Sequence, residues 1–198
     1  MLVKILYLIF AYLCGAVPFA YIISKYAANV DIRTVGSGNP GATNVFRAVG
    51  KKAGIATFIL DALKGFLPVW FAIFIDDSFS YSVAAAAMAM IGHMFTVFLK
   101  FKGGKGVATA CGAFLALIPM PTLIALAVFA AVFVFSGYVA LGSICAAVSL
   151  PLASYFSGYG AEAVIFAFAV ASLIIYKHRT NIQRLRKGEE YKFKILRK

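Results

Sequence analysis

Long apolar runs separated by short polar stretches dominate the chain. Five of these runs, residues 2–23, 54–75, 81–99, 138–156 and 160–176, approach or exceed the roughly 20 apolar residues a helix needs to cross a hydrocarbon core about 30 Å thick. A sixth run, residues 107–135, is too long for one comfortable crossing and carries Pro119 and Pro121. Proline rings disrupt helix hydrogen bonding, so this run predicts either one kinked helix or two short ones, with a re-entrant hairpin as a further alternative. The pattern predicts an all-α, polytopic integral membrane helix bundle, with residues 1–198 forming a single transmembrane domain.

Charge placement distinguishes the two options. Lys25, Arg33, Arg47, Lys51 and Lys52 follow the first run, Lys100, Lys102 and Lys105 follow the third, and a basic tail begins at Lys177; Asp76 and Asp77 occupy the turn between the second and third runs. Basic loops stay in the cytoplasm, which puts the N-terminus outside. A single crossing by residues 107–135 would leave the basic tail outside, whereas two crossings broken at Pro119 to Pro121 bring it inside. The expectation is therefore about seven transmembrane helices with a cytoplasmic C-terminus. The first run exceeds the apolar core of a cleaved signal and is read as a span.

Composition narrows the function classes. The 198 residues are 63% hydrophobic and only 13% charged, with a mean hydropathy of +0.91, which excludes an ordinary soluble domain. The net charge of +12 gathers in clusters between apolar runs, a pattern suited to a lipid surface and anionic substrates rather than nucleic acid. Cys14, Cys111 and Cys145 lie far apart in apolar stretches and read as packing residues. Nothing in the chain calls for a metal, haem, nucleotide or other cofactor.

Three polar islands fall on the expected cytoplasmic side. The first, from Gly36 to Arg47, interleaves glycines with Ser37, Asn39, Thr43 and Asn44. Glycines open backbone paths, the amides and hydroxyls offer hydrogen bonds, and Arg47 is the natural anion partner. A short interfacial helix is expected from Thr43 to about Val49. The second island runs from Lys100 through Gly103, Gly104, Lys105 and Gly106 to Thr109 and opens into a helix. Glycine backbone, a helix start and a lysine together suit a phosphate. Walker spacing is absent, so a phosphate smaller than a nucleotide is expected. The third island begins at Lys177 and includes His178, Asn181, Arg184, Glu189 and Glu190. His178 and Asn181, three apart, share a face if the helix continues, bringing a titratable imidazole beside an amide.

Two further polar features lie within apolar runs. Asp61 and Lys64, also three apart, predict an ion pair facing the bundle interior. His93, near the cytoplasmic end of the third run, is either a candidate substrate-binding residue or a structural histidine.

These motifs carry a resemblance. The Gly36 to Arg47 run, the Gly92, His93 and Phe95 group leading into Lys102 to Thr109, and the terminal His178, Arg179, Asn181, Ile182 run occur in this order between hydrophobic spans. The chain resembles the bacterial acyl-phosphate:glycerol-3-phosphate acyltransferases along its whole length. The third motif carries Lys177 where the family more often has Arg, and the second carries Thr96 where Pro is usual.

The resemblance implies acyl transfer from acyl phosphate to the 1-hydroxyl of glycerol 3-phosphate, giving lysophosphatidic acid and phosphate, the first step of phospholipid synthesis. It implies an active site facing the cytoplasm from the inner membrane, and a glycerol 3-phosphate loop at Gly103, Gly104, Lys105 and Gly106. It also implies acyl-phosphate or catalytic roles for Ser37, Arg47, His178 and Asn181. Ser143 and Lys105 are added as catalytic candidates, Thr109 as a phosphate ligand, and Asn39, Thr43, Asn44, His93 and Glu189 as further substrate-binding residues.

Acyl phosphate is already activated, so the protein's task is to hold two anions together, orient a hydroxyl and stabilise the carbonyl oxygen. The His-plus-Asp pairing at a five-residue offset found in other glycerolipid acyltransferases is missing, because Phe98 follows His93 and Gln183 follows His178 at that distance. An organic-phosphate transporter is the rival from another class, and an acyl-CoA or acyl carrier protein donor is the rival within this one. Absence of an internal repeat and clustering of polar groups at one face argue against transport.

Overall fold

The computed structural model describes residues 1–193, and Lys194, Arg197 and Lys198 of the basic tail lie outside the described residues. Among the described residues every regular element is helical. The chain divides into two compact units, Met1–Leu117 and Ile118–Lys198.

The first unit contains α1 (Leu2–Ala16), α2 (Phe19–Ala28), α3 (Ala42–Ala48), α4 (Lys51–Ala72), α5 (Phe79–Met94), a 3-10 turn (Val97–Leu99) and α6 (Val107–Leu117). The expected first span is broken where Pro18 interrupts the backbone ladder. Two carbonyls at the break find side-chain donors. Thr96 Oγ1 donates to Ala16 O at 2.6 Å, and Lys64 Nζ donates to Val17 O at 2.7 Å. In an apolar medium such carbonyls need a protein partner, so two other segments stabilise the kink.

Small residues set how closely these helices approach. Gly15 of α1 lies against the Ala89 carbonyl of α5, and Gly92 of α5 against the Tyr12 carbonyl of α1. On α4, Gly65 meets the Thr109 carbonyl of α6, while Gly112 of α6 meets the Ala62 carbonyl of α4. A Cβ at any of these positions would overlap backbone, so the contacts follow the small-residue logic of membrane helix packing.

Polar contacts fix which ends coincide. Lys4 pairs with Asp76, and Tyr81 Oη donates to Lys4 O at 2.9 Å. The start of α1, the end of α4 and the start of α5 thus share one end. The loops before α4 and after α5, which carry the first two polar islands, lie at the opposite end of this unit.

The second unit contains α7 (Pro119–Ser136), α8 (Val139–Phe156), α9 (Ala161–Lys177) and α10 (Arg179–Arg186). The short turn 157–160 makes α8 and α9 antiparallel, so the start of α8 and the end of α9 share an end. The chain after α10 returns to that end, where Phe193 N donates to Gly137 O at 2.8 Å.

Among the described residues, five segments are long and apolar enough to cross a membrane: Leu2–Ala28, Lys51–Ala72, Phe79–Leu99, Pro119–Ser136 and Val139–Phe156. Helices α9 and α10 qualify together as a sixth, bent by 57°. The 11 residues of α6 extend about 16 Å, roughly half the hydrocarbon core. Large side chains such as Phe74, Phe135 and Phe156 point outward with more than two thirds of their surface exposed. In water such a surface would aggregate, whereas lipid tails satisfy it.

Candidate active site

The first polar island is a structured loop leading into α3. Asn29 ends α2 in the left-handed conformation. The Arg33 guanidinium then donates to Asp31 at 2.6 and 2.9 Å and holds that carboxyl down to about 2. Asn44 is almost fully buried and all its hydrogen bonds run to the loop itself. Its Nδ2 donates to the carbonyls of Ile32 and Val35, each at 3.0 Å, and its Oδ1 accepts from Ser37 N at 3.0 Å. These bonds shape the loop from below. They leave Ser37 exposed, with Oγ accepting from Asn39 N at 3.4 Å. Asn39, Thr43 and Arg47 are half-buried, the last two on α3.

The second island closes the end of α5. After the 3-10 turn the chain reverses through Lys100 and Phe101, both in the left-handed region. Gly103 N then donates to Met94 O at 3.3 Å, and Gly104 N donates to His93 O at 3.2 Å. The amides of these two glycines are therefore engaged by α5. The amides at the start of α6 have no intrahelical acceptor and carry the positive end of its dipole.

Gly104 has no room for a side chain, because a Cβ would overlap His93 Nε2 and lie 3.1 Å from Pro40 O. The first and second islands therefore meet at Gly104 within one compact unit. Gly106, at φ +84°, turns the chain into α6 with a geometry costly for other residues. Lys105 is half-buried between Gly104 and Gly106. Thr109 is fully buried in the first turn of α6, and its Oγ1 has no hydrogen-bond partner among the described residues.

The third island lies in the second unit. The helix does not run straight past His178; α9 ends at Lys177 and α10 leaves at 57°. His178 occupies the corner, 3% exposed, with Nδ1 2.8 Å from Ile174 O. A carbonyl only accepts, so Nδ1 carries the hydrogen in this contact. Asn181, one turn on, is buried and donates from Nδ2 to Glu190 Oε1 at 2.9 Å; Arg184 Nε donates to Glu190 Oε2 at 2.8 Å. Glu189 is exposed and its neighbour Glu190 is buried, so Glu190 ties the island together. Ser143, in the first turns of α8, is buried at the same end of this unit, with Oγ donating to Val139 O at 2.8 Å.

Glu190 is the residue that sequence reasoning missed. A second acidic side chain beside Glu189 carries no local mark of burial, and its partners lie six and nine positions upstream.

Comparison with known proteins identifies the family. Residues 5–188 match the family described as glycerol-3-phosphate acyltransferase. A glycerol-3-phosphate acyltransferase of Endomicrobium trichonymphae is 66% identical over 198 residues, covering 100% of both chains. One from Syntrophotalea carbinolica is 49% identical, covering 94% of this chain and 96% of its own. Among solved structures, the glycerol 3-phosphate form of PlsY (YgiH), an integral membrane glycerol 3-phosphate acyltransferase, superposes with a TM-score of 0.91 at 44% identity, covering 98% of this chain and 96% of its own. The lysophosphatidic acid form of PlsY gives 0.89 at 42% identity, with the same coverage. The sequence and the all-helical membrane fold thus lead to one assignment: the chain belongs to the glycerol-3-phosphate acyltransferase family.

Proposed function

We propose that this enzyme transfers a fatty acyl group from acyl phosphate to the 1-hydroxyl of glycerol 3-phosphate, at the cytoplasmic face of a bacterial inner membrane. The observation that carries the reading is the loop at Gly103 to Gly106, which packs on His93, meets the first island at Pro40 and opens into α6. Lys105 and the first-turn amides of α6 supply positive charge for the glycerol 3-phosphate phosphate, with the orphaned Thr109 hydroxyl behind them. Arg47 and Ser37 take the acyl phosphate, with Asn39, Thr43 and the Asn44-braced loop around it. His178, Asn181 and Ser143 are the residues assigned to orienting the reactants, and Glu189 is a further substrate-binding residue. N-terminus outside, C-terminus inside, and all 198 residues working as one catalytic domain complete the proposal.

The chemistry balances without a cofactor. The 1-hydroxyl oxygen forms a bond to the carbonyl carbon, the carbon–oxygen bond to phosphate breaks, and the hydroxyl proton leaves on a substrate phosphate. Inorganic phosphate is a good leaving group, so holding the anions together and stabilising the carbonyl oxygen suffice. The test is to give purified protein radiolabelled glycerol 3-phosphate with acyl phosphate, acyl-CoA or acyl carrier protein in turn. Labelled lysophosphatidic acid from acyl phosphate alone is expected. Product from acyl-CoA alone would overturn the donor, and no product from any donor would favour transport.

A further inference from the structure

The same end of the first unit holds a buried charge cluster that the proposed chemistry does not use. Lys64 Nζ stands 2.6 Å from Asp61 Oδ1, with side chains 5% and 2% exposed, and His93 Nδ1 lies 3.8 Å from the same oxygen. Lys64 also donates to Val17 O at the break between α1 and α2 and sits 5.5 Å over the Phe19 ring. Charges in a membrane interior are expensive and persist where they are paired and put to use. Every member of this cluster touches a segment that bears on one loop. Asp61 and Lys64 face a crevice lined also by His93, Thr96, Gly103 and Gly104.

The imidazole is the link. Its Nδ1 edge faces Asp61, while its Nε2 edge occupies the space a side chain at Gly104 would need. A ring rotated about its bond to the backbone would either strike Gly104 or leave a gap beneath the loop. At 3.8 Å the carboxylate acts on the Nδ1 edge through its charge rather than as a hydrogen-bond acceptor, and Lys64 pairs with that carboxylate while reaching the helix break. The Gly65 contact with the Thr109 carbonyl, one residue further along α4, anchors the start of α6 to the same helix.

We infer that Asp61 and Lys64 are positioning residues that hold the His93 ring as a wedge beneath Gly104, and so set the shape of the loop that receives the glycerol 3-phosphate phosphate. The inference rests on that loop being the phosphate site. The cluster touches neither reacting atom in this scheme, so it governs the affinity for one substrate rather than the chemical step or the acyl donor.

The test uses full-length protein in lipid bilayers and the double variant D61L/K64M, which exchanges the ion pair for apolar side chains of similar bulk. Exchanging both partners leaves no unpaired buried charge, and the melting curve reports whether the fold survives loss of the Lys64 bond to Val17 O. With acyl phosphate saturating, KM for glycerol 3-phosphate is expected to rise about tenfold or more, kcat to stay within about threefold, and KM for acyl phosphate to stay unchanged. An unchanged KM for glycerol 3-phosphate overturns the inference. So does a fall in kcat alone, which would place the cluster in the chemistry, or an equal rise in both KM values, which would mean general loosening.

Should the double variant fail to fold, H93A and H93Q decide. H93Q keeps an amide near the Nε2 position and is expected to hold KM several-fold closer to wild type than H93A. H93A with a wild-type KM overturns the inference. The reading of the loop fails separately, if wild-type protein shows no saturable dependence on glycerol 3-phosphate.

Discussion

Asn181 and Glu190 are joined by a buried hydrogen bond of 2.9 Å, and the same carboxylate accepts from Arg184 at 2.8 Å. The acidic side chain holds the amide in one orientation and fixes the chain beyond α10 to the helix. Removing it in E190A strands two donors, one of them charged. At about 1.5–3 kcal/mol for a hydrogen bond to a charged group, kcat/KM is expected to fall by about tenfold to a hundredfold, with partial recovery in E190Q. E189A is the comparison, because Glu189 is exposed. A larger loss in E189A than in E190A would contradict the arrangement.

The contact between α4 and α6 makes a stability prediction. Alanine at Gly112 would press its methyl into the Ala62 carbonyl, a backbone atom that cannot swing aside. Overpacking of this kind costs about 1–3 kcal/mol, so G112A is expected to melt several degrees lower in detergent. G160A is the control, since nothing stands within 4 Å of a Cβ at that position. Equal melting temperatures for the two variants would show that α4 and α6 do not meet through these glycines.

The Asp31–Arg33 pair predicts a pH dependence. Arg33 lowers the Asp31 carboxyl from 3.8 to about 2 in the folded protein. A depressed carboxylate contributes stability that is full above the unfolded value and is lost as pH falls through the folded one. The melting difference between wild type and D31N is therefore expected to be constant above pH ~5 and to shrink between 3.8 and about 2. The pair is exposed to solvent, so the difference is small and screened by salt. A difference that grew on acidification would show that another group dominates.

His178 tests the division between positioning and proton transfer. Loss of a general base costs about 10²–10⁴-fold in rate, while loss of an orienting hydrogen bond costs about tenfold. Because a substrate phosphate takes the proton in this mechanism, H178Q is expected to keep measurable turnover with an unshifted pH–rate profile. Activity that returns only with a strong base at this position would contradict it.

Much of the fold was legible in the apolar runs. The run 138–156 became α8 at Val139–Phe156, and 160–176 became α9 at Ala161–Lys177. The break expected at Pro119 separates α6 from α7. Other prolines behaved differently. Pro68 and Pro151 sit inside unbroken helices, whereas Pro18 parts α1 from α2. At Pro18 the deciding factors are Thr96 and Lys64, more than 40 residues away, which accept the burden of two carbonyls. No local pattern records such partners.

Candidate-site residues divide along the same line. The glycine loop and its helix start were readable, because their conformations follow from residue type and spacing. Asn44 reads as a ligand from its neighbours but directs its amide to the backbone of its own loop. The Asp61–Lys64 pair was expected from helical spacing, while its reach to Val17 and toward His93 depends on how three helices pack.

A shared active site requires three loops to open to the same side of the membrane. Single cysteines at the exposed positions Ser37, Lys102 and Arg186, in a background lacking Cys14, Cys111 and Cys145, report this directly in sealed inside-out and right-side-out vesicles. All three are expected to react with an impermeant maleimide from the cytoplasmic side alone. Labelling of Lys102→Cys and Arg186→Cys from opposite sides would contradict a shared site.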